Sequence, residues 1–297
     1  MSTTLGPPNA KRFLVTALRE EAARRGLTCT TFSADWIVRL SSGDRHATVM
    51  GYHFPLNSAP AAMLAGDKAA ASEALAHAGV PCIEHRLFLR PALSGYVGAD
   101  GNWAAMLAYA QQHDGHLVVK PNQGTGGQQV SRVRSVLELE SVVHTLFANH
   151  RSLAFSPFHV IAREVRLVML DGVCKLAYEK VRASDAPNDD APNDDASNNN
   201  AVAEWRHNLG LGATPHLLDP PPRVLVERAQ AAMRALGLRF ASVDVVEVEG
   251  SWQVLEVNAG VMMETFAEQS ETHAARASAI YGAALDAVFG GDNPTTV

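Results

Sequence analysis

Along this chain the spacing of apolar residues switches repeatedly between about 3.6 and 2, which predicts short helices alternating with short strands. The helical period covers 11–25, 61–77, 102–113, 136–148, 222–236 and 268–288. Strand-like runs occupy 29–32, 36–40, 47–52, 85–89, 117–119, 130–133, 153–157, 164–170 and 173–180, the last two joined by the turn Asp171-Gly172. Gly79-Val80-Pro81 stops the second helix, and Ser, Gly and Asp separate the first three strands. Such mixing predicts an α/β (α+β) protein with more than one lobe.

The most informative stretch is 240–264, FASVDVVEVEGSWQVLEVNAGVMME, which reads as two strands around a turn. Alternation puts Asp244, Val246 and Val248 on one face of the first strand, and Trp252, Val254, Glu256 and Asn258 on one face of the second. A three-residue loop at Glu249, Gly250 and Ser251 sets Val248 opposite Trp252 and therefore Asp244 opposite Glu256. Like charges directly across a strand pair repel, and here valines flank both. A cation between them removes that penalty, and two carboxylates with the Asn258 amide are oxygen donors suited to a hard ion such as Mg2+. The same residues also read as a hairpin whose acids lie on its solvated side.

A second candidate is the segment Lys120-Pro121 followed by Gln123, Gly124, Thr125, Gly126 and Gly127, placed between two strands. Strand–loop–strand order excludes the dinucleotide fingerprint and the P-loop, both of which require a helix after the glycines. A Gly-rich hairpin can lie over a polyphosphate and offer backbone N–H groups, with Lys120 as a point charge; alone, it also reads as an ordinary turn. Lys68 in the second helix reads by itself as a solvated charge, and Glu164 with Arg166, on one strand face, as a surface ion pair. Met262 and Met263 read as core, with Glu264 beside them.

Composition adds exclusions. The 297 residues are 47% hydrophobic and 19% charged, with a formal net charge of −6. Five of the acids (Asp185, Asp189, Asp190, Asp194 and Asp195) lie in the tandem polar run 183–200, so the rest carries about one negative charge and nucleic acid is not an expected partner. That run has almost no apolar side chains to offset its ordering entropy and is expected to be a mobile insert. The three cysteines are far apart, which suggests neither a disulfide framework nor a zinc ribbon. No membrane span and no signal-peptide core is evident, so a cytoplasmic protein is expected.

Taken in order, Asp67-Lys68, VVKPNQGTGGQQV, LAFSPF, EVRLVMLDG, WRHNLGLGA, DVVEV and LEVNAG resemble the successive blocks of the ATP-grasp carboxylate–amine ligases, in the branch of glutathione synthetase and the ribosomal-protein glutamate ligases. The resemblance covers about 55–290. It implies an ATP-grasp fold: a small N-terminal α/β lobe over 1–60, a small clamp lobe with the Gly-rich lid over 61–150, and a large lobe with the metal site over 151–297. Lys68 and Lys120 are then expected on the phosphates of ATP under the lid Gly124–Gly127, with backbone at Phe155, Ser156, Pro157 and Phe158 on adenine and Glu164 on the ribose. Ser156-Pro157 departs from the Glu or Gln that many relatives carry at that hinge. Asp244, Glu256 and Asn258 are expected to hold two Mg2+ ions, or Mn2+ in their place. Arg166 and Arg206 match positions facing the acyl phosphate and the substrate carboxylate, with Asn208 and Glu264 on the substrate side. The activity implied joins amino acids or small peptides through an acyl phosphate, releasing ADP and phosphate. A kinase using the same clamp and a nucleotide-binding regulatory protein are the alternatives; substrate identity and homo-oligomerisation are left open.

Overall fold

In the computed structural model, residues 12–96, 103–124, 126–182 and 207–290 are described; Thr125, Arg206 and the polar run 183–200 lie outside them. The first helix, α1 (Phe13–Arg24), buries Leu14, Val15, Leu18 and Ala22 along one stripe. It is followed by β1 (Thr28–Phe32), β2 (Ile37–Ser42) and β3 (Arg45–Met50), an antiparallel meander in the order β1-β2-β3. These elements have no core of their own. Leu14, Leu18, Val38 and Val49 share one apolar cluster with Tyr178, Phe240, Phe266 and Tyr281, so the two ends of the chain pack together.

The helix expected over 61–77 is broken into α2 (Ala59–Gly66) and α3 (Lys68–His77). Asp67 is extended, with φ −98° and ψ 105°, and its carboxylate caps α3 by accepting from the amide of Ala70. The cap interrupts an otherwise continuous helical period and puts Lys68 in the first turn of a helix rather than in an interior. Next come β4 (Arg86–Leu89), α4 (Trp103–Gln112), β5 (Leu117–Pro121), β6 (Ser131–Val133), α5 (Val136–Asn149) and β7 (Ser152–Pro157). Their four strands form one sheet in the order β4-β7-β5-β6, with Phe88, Leu117, Val119 and Phe155 packed on Met106, Tyr109, Leu139 and Phe147 of the two helices.

A five-stranded antiparallel sheet, β10-β9-β8-β11-β12, carries the rest. Its members are β8 (Arg163–Leu170), β9 (Val173–Val181), β10 (Thr214–Leu217), β11 (Phe240–Val248) and β12 (Ser251–Asn258). One face, with Val165, Leu167, Val243, Val245 and Val254, packs under α2, α3 and α6 (Arg223–Leu236). Strand β10 was not legible in the sequence: it is four residues long, contains Pro215, and sits at the sheet edge, where a missing N–H is tolerated. The helix expected over 268–288 is α8 (Glu271–Phe289), which starts three residues later than expected because the Ser270 side chain caps it by accepting from the His273 amide; a short helix not read from the sequence, α7 (Glu264–Ala267), precedes it. Among the described residues no helix is long and apolar enough to cross a membrane.

The hairpin β11–β12 places Asp244 opposite Glu256, as expected, but by a different route. Val248 pairs with Ser251 across a two-residue turn whose Glu249 and Gly250 have φ +50° and +74°, the left-handed pair of a type I′ turn. That turn alone would shift the register by one, and a bulge between Asp244 and Val245 on one side and Glu256 and Val254 on the other shifts it back. The bulge corrects the expected face of β12. Trp252 and Val254 turn to the helix-covered side with Val245, while Glu256 and Asn258 stay on the side of Asp244. Leu255, the extra residue, packs with Val246, Val248, Ile83 and Ile161.

Candidate active site

The open face of the five-stranded sheet carries a belt of charge between two apolar clusters. Register makes Arg166 the neighbour of Asp244 on one side and Tyr178 the neighbour of Arg166 beyond it, with Glu164 and Lys180 one step along. Alternation turns Glu164, Arg166, Lys180, Asp244, Glu256 and Asn258 to the same face. Asp244 is 1% exposed, and both its oxygens accept from Arg166: Oδ1 from Nε at 2.8 Å and Oδ2 from Nη2 at 2.6 Å. Lys180 Nζ lies 3.0 Å from Asp244 Oδ1 and also pairs with Glu164. Burial opposes ionisation of Asp244, yet Arg166 and Lys180 together hold its carboxyl well below the usual range. Glu164 goes the other way: burial raises its pKa, only partly offset by Lys180. The surface ion pair expected of Glu164 and Arg166 is therefore replaced by two buried pairs with residues of β9 and β11.

From the other side come two lysines. Lys120 on β5 is 7% exposed; burial pushes its pKa down to about 8, with Lys68 adding to the shift and Glu256 and Glu164 opposing it. Lys68 also has its pKa lowered by burial, while Glu256 raises it. Its Nζ donates to the carbonyl of Gly124 at 2.7 Å, so this lysine reaches the Gly-rich loop rather than open solvent. Asn122 holds the geometry together: 1% exposed, it accepts from the amide of Ala69 at 3.1 Å through its side chain and from that of Lys68 at 3.1 Å through its carbonyl. The first turn of α3 is thereby bound to the end of β5, and the charge of Glu256 acts on both lysines.

The Gly-rich loop touches the large sheet's side as well. Asn208 Nδ2 donates to the Gly126 carbonyl at 2.8 Å, and a Cβ on Gly127, whose φ is +66°, would come within 2.6 Å of that nitrogen. Asn208 therefore ties the segment after β9 to the Gly-rich loop. Glu264 also differs from expectation. Its Oε1 accepts from the amide of Leu14 at 3.4 Å in the first turn of α1, where a carboxylate complements the helix dipole, and burial raises its pKa. It joins the two ends of the chain rather than lining an acceptor pocket.

The hinge backbone expected at Phe155–Phe158 is mostly used by the sheet. Phe155 and Ser156 lie inside β7 between β4 and β5, Pro157 has no N–H, and the Phe158 amide donates to the His116 carbonyl at 3.0 Å. Two residues that the sequence reading missed complete the site: Lys180 and Asn122. Lys180 could have been found, since the hairpin 164–180 folds it back opposite Glu164; Asn122 could not, because its partners are more than fifty residues away in sequence.

A four-stranded sheet and a five-stranded sheet meet across lysines and acids, with the Gly-rich loop between them. This is the ATP-grasp fold, and solved structures carry it. D-alanine–D-alanine ligase from Bacillus anthracis complexed with ATP superposes with a TM-score of 0.55 at 19% identity, over 79% of this chain and 68% of that one. A bifunctional glutathione synthetase from Pasteurella multocida gives 0.57 at 14% identity, over 95% of this chain but only 44% of its own length. The ATP-grasp ligase PsnB, complexed with a minimal precursor, Mg and ADP, gives 0.51 at 16% identity, over 79% and 61%. No protein-family model and no curated protein matches the sequence.

Proposed function

We propose that this protein is an ATP-dependent carboxylate–amine ligase that joins amino acids or small peptides through an acyl phosphate and releases ADP and phosphate. The observation that carries it is the convergence of Lys68, Lys120, Arg166 and Lys180, from four different elements, on the acids of β11 and β12. Buried and half-buried cations in that density match a triphosphate, whose charge they would spread during phosphoryl transfer. The fold's relatives include ligases whose structures hold ATP or Mg and ADP, which supports the same cofactors here.

Asp244, Glu256 and Asn258 fit a divalent ion: among the described residues nothing donates to Glu256 Oε2 or occupies Asn258 Oδ1, while Glu256 Oε1 accepts from Asn258 Nδ2 at 3.0 Å. The set is two carboxylates and an amide, all oxygen donors, as Mg2+ prefers. When bound, the metal would neutralise charge on the transferring phosphoryl group. Lys120 and Lys68 would contact the phosphates, and Glu256 favours the charged form of both against the burial that lowers their pKa values. Leu255, turned by the bulge, and Ile161 offer an apolar surface for a base. Closure of the glycine loop excludes water from an acyl phosphate that would otherwise hydrolyse.

Incubation with ATP, Mg2+ and a panel of amino acids should release ADP and phosphate and yield a dipeptide seen by mass spectrometry. Hydroxylamine should trap a hydroxamate; a stable phosphorylated alcohol instead would make the protein a kinase. Nucleotide affinity should also fall as pH rises through about 8, because Lys120, depressed to that value, loses its charge there. For folding the sign is opposite: with a folded pKa below the unfolded value, Lys120 destabilises the fold when charged, and that penalty disappears as pH rises from about 8 toward 10.5. Calorimetric titration with ATP from pH 7 to 9.5 checks the first effect, and a flat profile contradicts it.

A further inference from the structure

Asp244 differs from its two neighbours in the candidate metal set. Each of its oxygens already accepts from a cation, Oδ1 from Arg166 Nε at 2.8 Å with Lys180 Nζ 3.0 Å away, and Oδ2 from Arg166 Nη2 at 2.6 Å. Glu256 and Asn258 keep an acceptor oxygen free of hydrogen bonds among the described residues. A divalent ion approaching Asp244 would meet two fixed positive charges on the same oxygens, at a residue 1% exposed where solvent screens poorly. Across the wider site Lys68, Lys120, Arg166 and Lys180 are matched by Asp67, Asp244, Glu164 and Glu256, so the obstacle is local: both oxygens of Asp244 already hold cations, which disfavours a bare dication there.

We infer that Arg166 and Lys180 form a charge lock on Asp244, which a nucleoside triphosphate opens by drawing one of the two cations onto its phosphates. Arginine suits the exchange, since its planar fork fits a phosphate as well as it fits a carboxylate. Metal and nucleotide then bind as a coupled pair, each raising the affinity of the other by the same factor. Arg166 then has two partners in turn: Asp244 before nucleotide binds, through the two hydrogen bonds described, and the phosphates afterwards. The inference rests on the reading of Asp244, Glu256 and Asn258 as the metal set.

The test is Mn2+ binding to the full chain without nucleotide, followed by electron paramagnetic resonance. The wild-type protein should leave the free-ion signal unchanged at submillimolar Mn2+, whereas Arg166→Met should bind at least about tenfold more tightly, within the usual span of such couplings. If Arg166→Met does not fold by circular dichroism, Arg166→Lys, which keeps a charge but loses the fork, should show a smaller gain in the same direction. Tight Mn2+ binding by the wild type, or equal affinities in wild type and variant, would overturn the lock. Adding Glu256→Gln to the variant separates the two readings: loss of the gained Mn2+ confirms the site, while Mn2+ that ignores Glu256 places the ion elsewhere and sinks the metal assignment itself.

Discussion

Glu256→Gln should abolish turnover while leaving the fold intact. The residue sits opposite Asp244 on the bulged strand, its Oε2 accepts nothing among the described residues, and it is the acid that both Lys68 and Lys120 feel. An amide of the same shape preserves packing but removes the charge that would bind a metal and that favours the ionised form of both lysines. Outer-sphere partners of metal ligands alone are worth 10–100-fold, so a ligand exchange should lower the ADP-forming rate by at least about 100-fold. Melting temperature should be unchanged or slightly altered. Steady-state assays alongside thermal denaturation decide it; wild-type rates in this variant would remove Glu256 from the chemistry.

Lys180→Met should be the most destabilising single change in the site. The ammonium bridges Glu164 and Asp244, with all three side chains nearly inaccessible. Its loss leaves Glu164 buried without its cation and Asp244 dependent on Arg166 alone. Breaking such a buried pair costs about 3–5 kcal/mol. For a chain of this size the melting temperature should drop by roughly 5–15 °C. The pH dependence has a definite sign. Glu164 already has a raised pKa, so its neutral form is favoured in the fold, and without Lys180 that preference grows. The variant should therefore recover stability as pH falls and Glu164 takes up a proton. Glu164→Gln combined with Lys180→Met should recover part of the loss at neutral pH. Circular dichroism melts at pH 5 and pH 7 measure both; a melting temperature equal to wild type at pH 7 would show that the bridge carries no stability.

These two residues mark the limit of what was legible in the sequence. Glu256 was visible because strand periodicity is local: side chains alternate wherever the backbone is extended, and a turn residue nearby sets the pairing. The inferred pairing with Asp244 was right although two of its premises were not, since a two-residue turn and a bulge displace the register in opposite directions. The break at Asp67 lay in a cap residue whose side chain outweighed a continuous helical period, and the Ser270 cap set the last helix to begin a few residues later than its period suggested. Lys180 was overlooked because a lysine near a strand end ordinarily reaches solvent, and its burial depends on Glu164 and Asp244 arriving from two other strands.

From the sequence alone came the alternating elements, the two acids facing each other across a hairpin, the glycine loop behind Lys120 and the block order that resembles the ATP-grasp ligases. Local backbone geometry and residue chemistry suffice for those. Only the folded chain decided which cation answers which acid, that Glu264 secures α1 and Asn208 meets the lid, and that Lys68 and Lys120 meet at Glu256. Those contacts join segments up to 250 residues apart, and their energies arise from burial, which no local pattern contains.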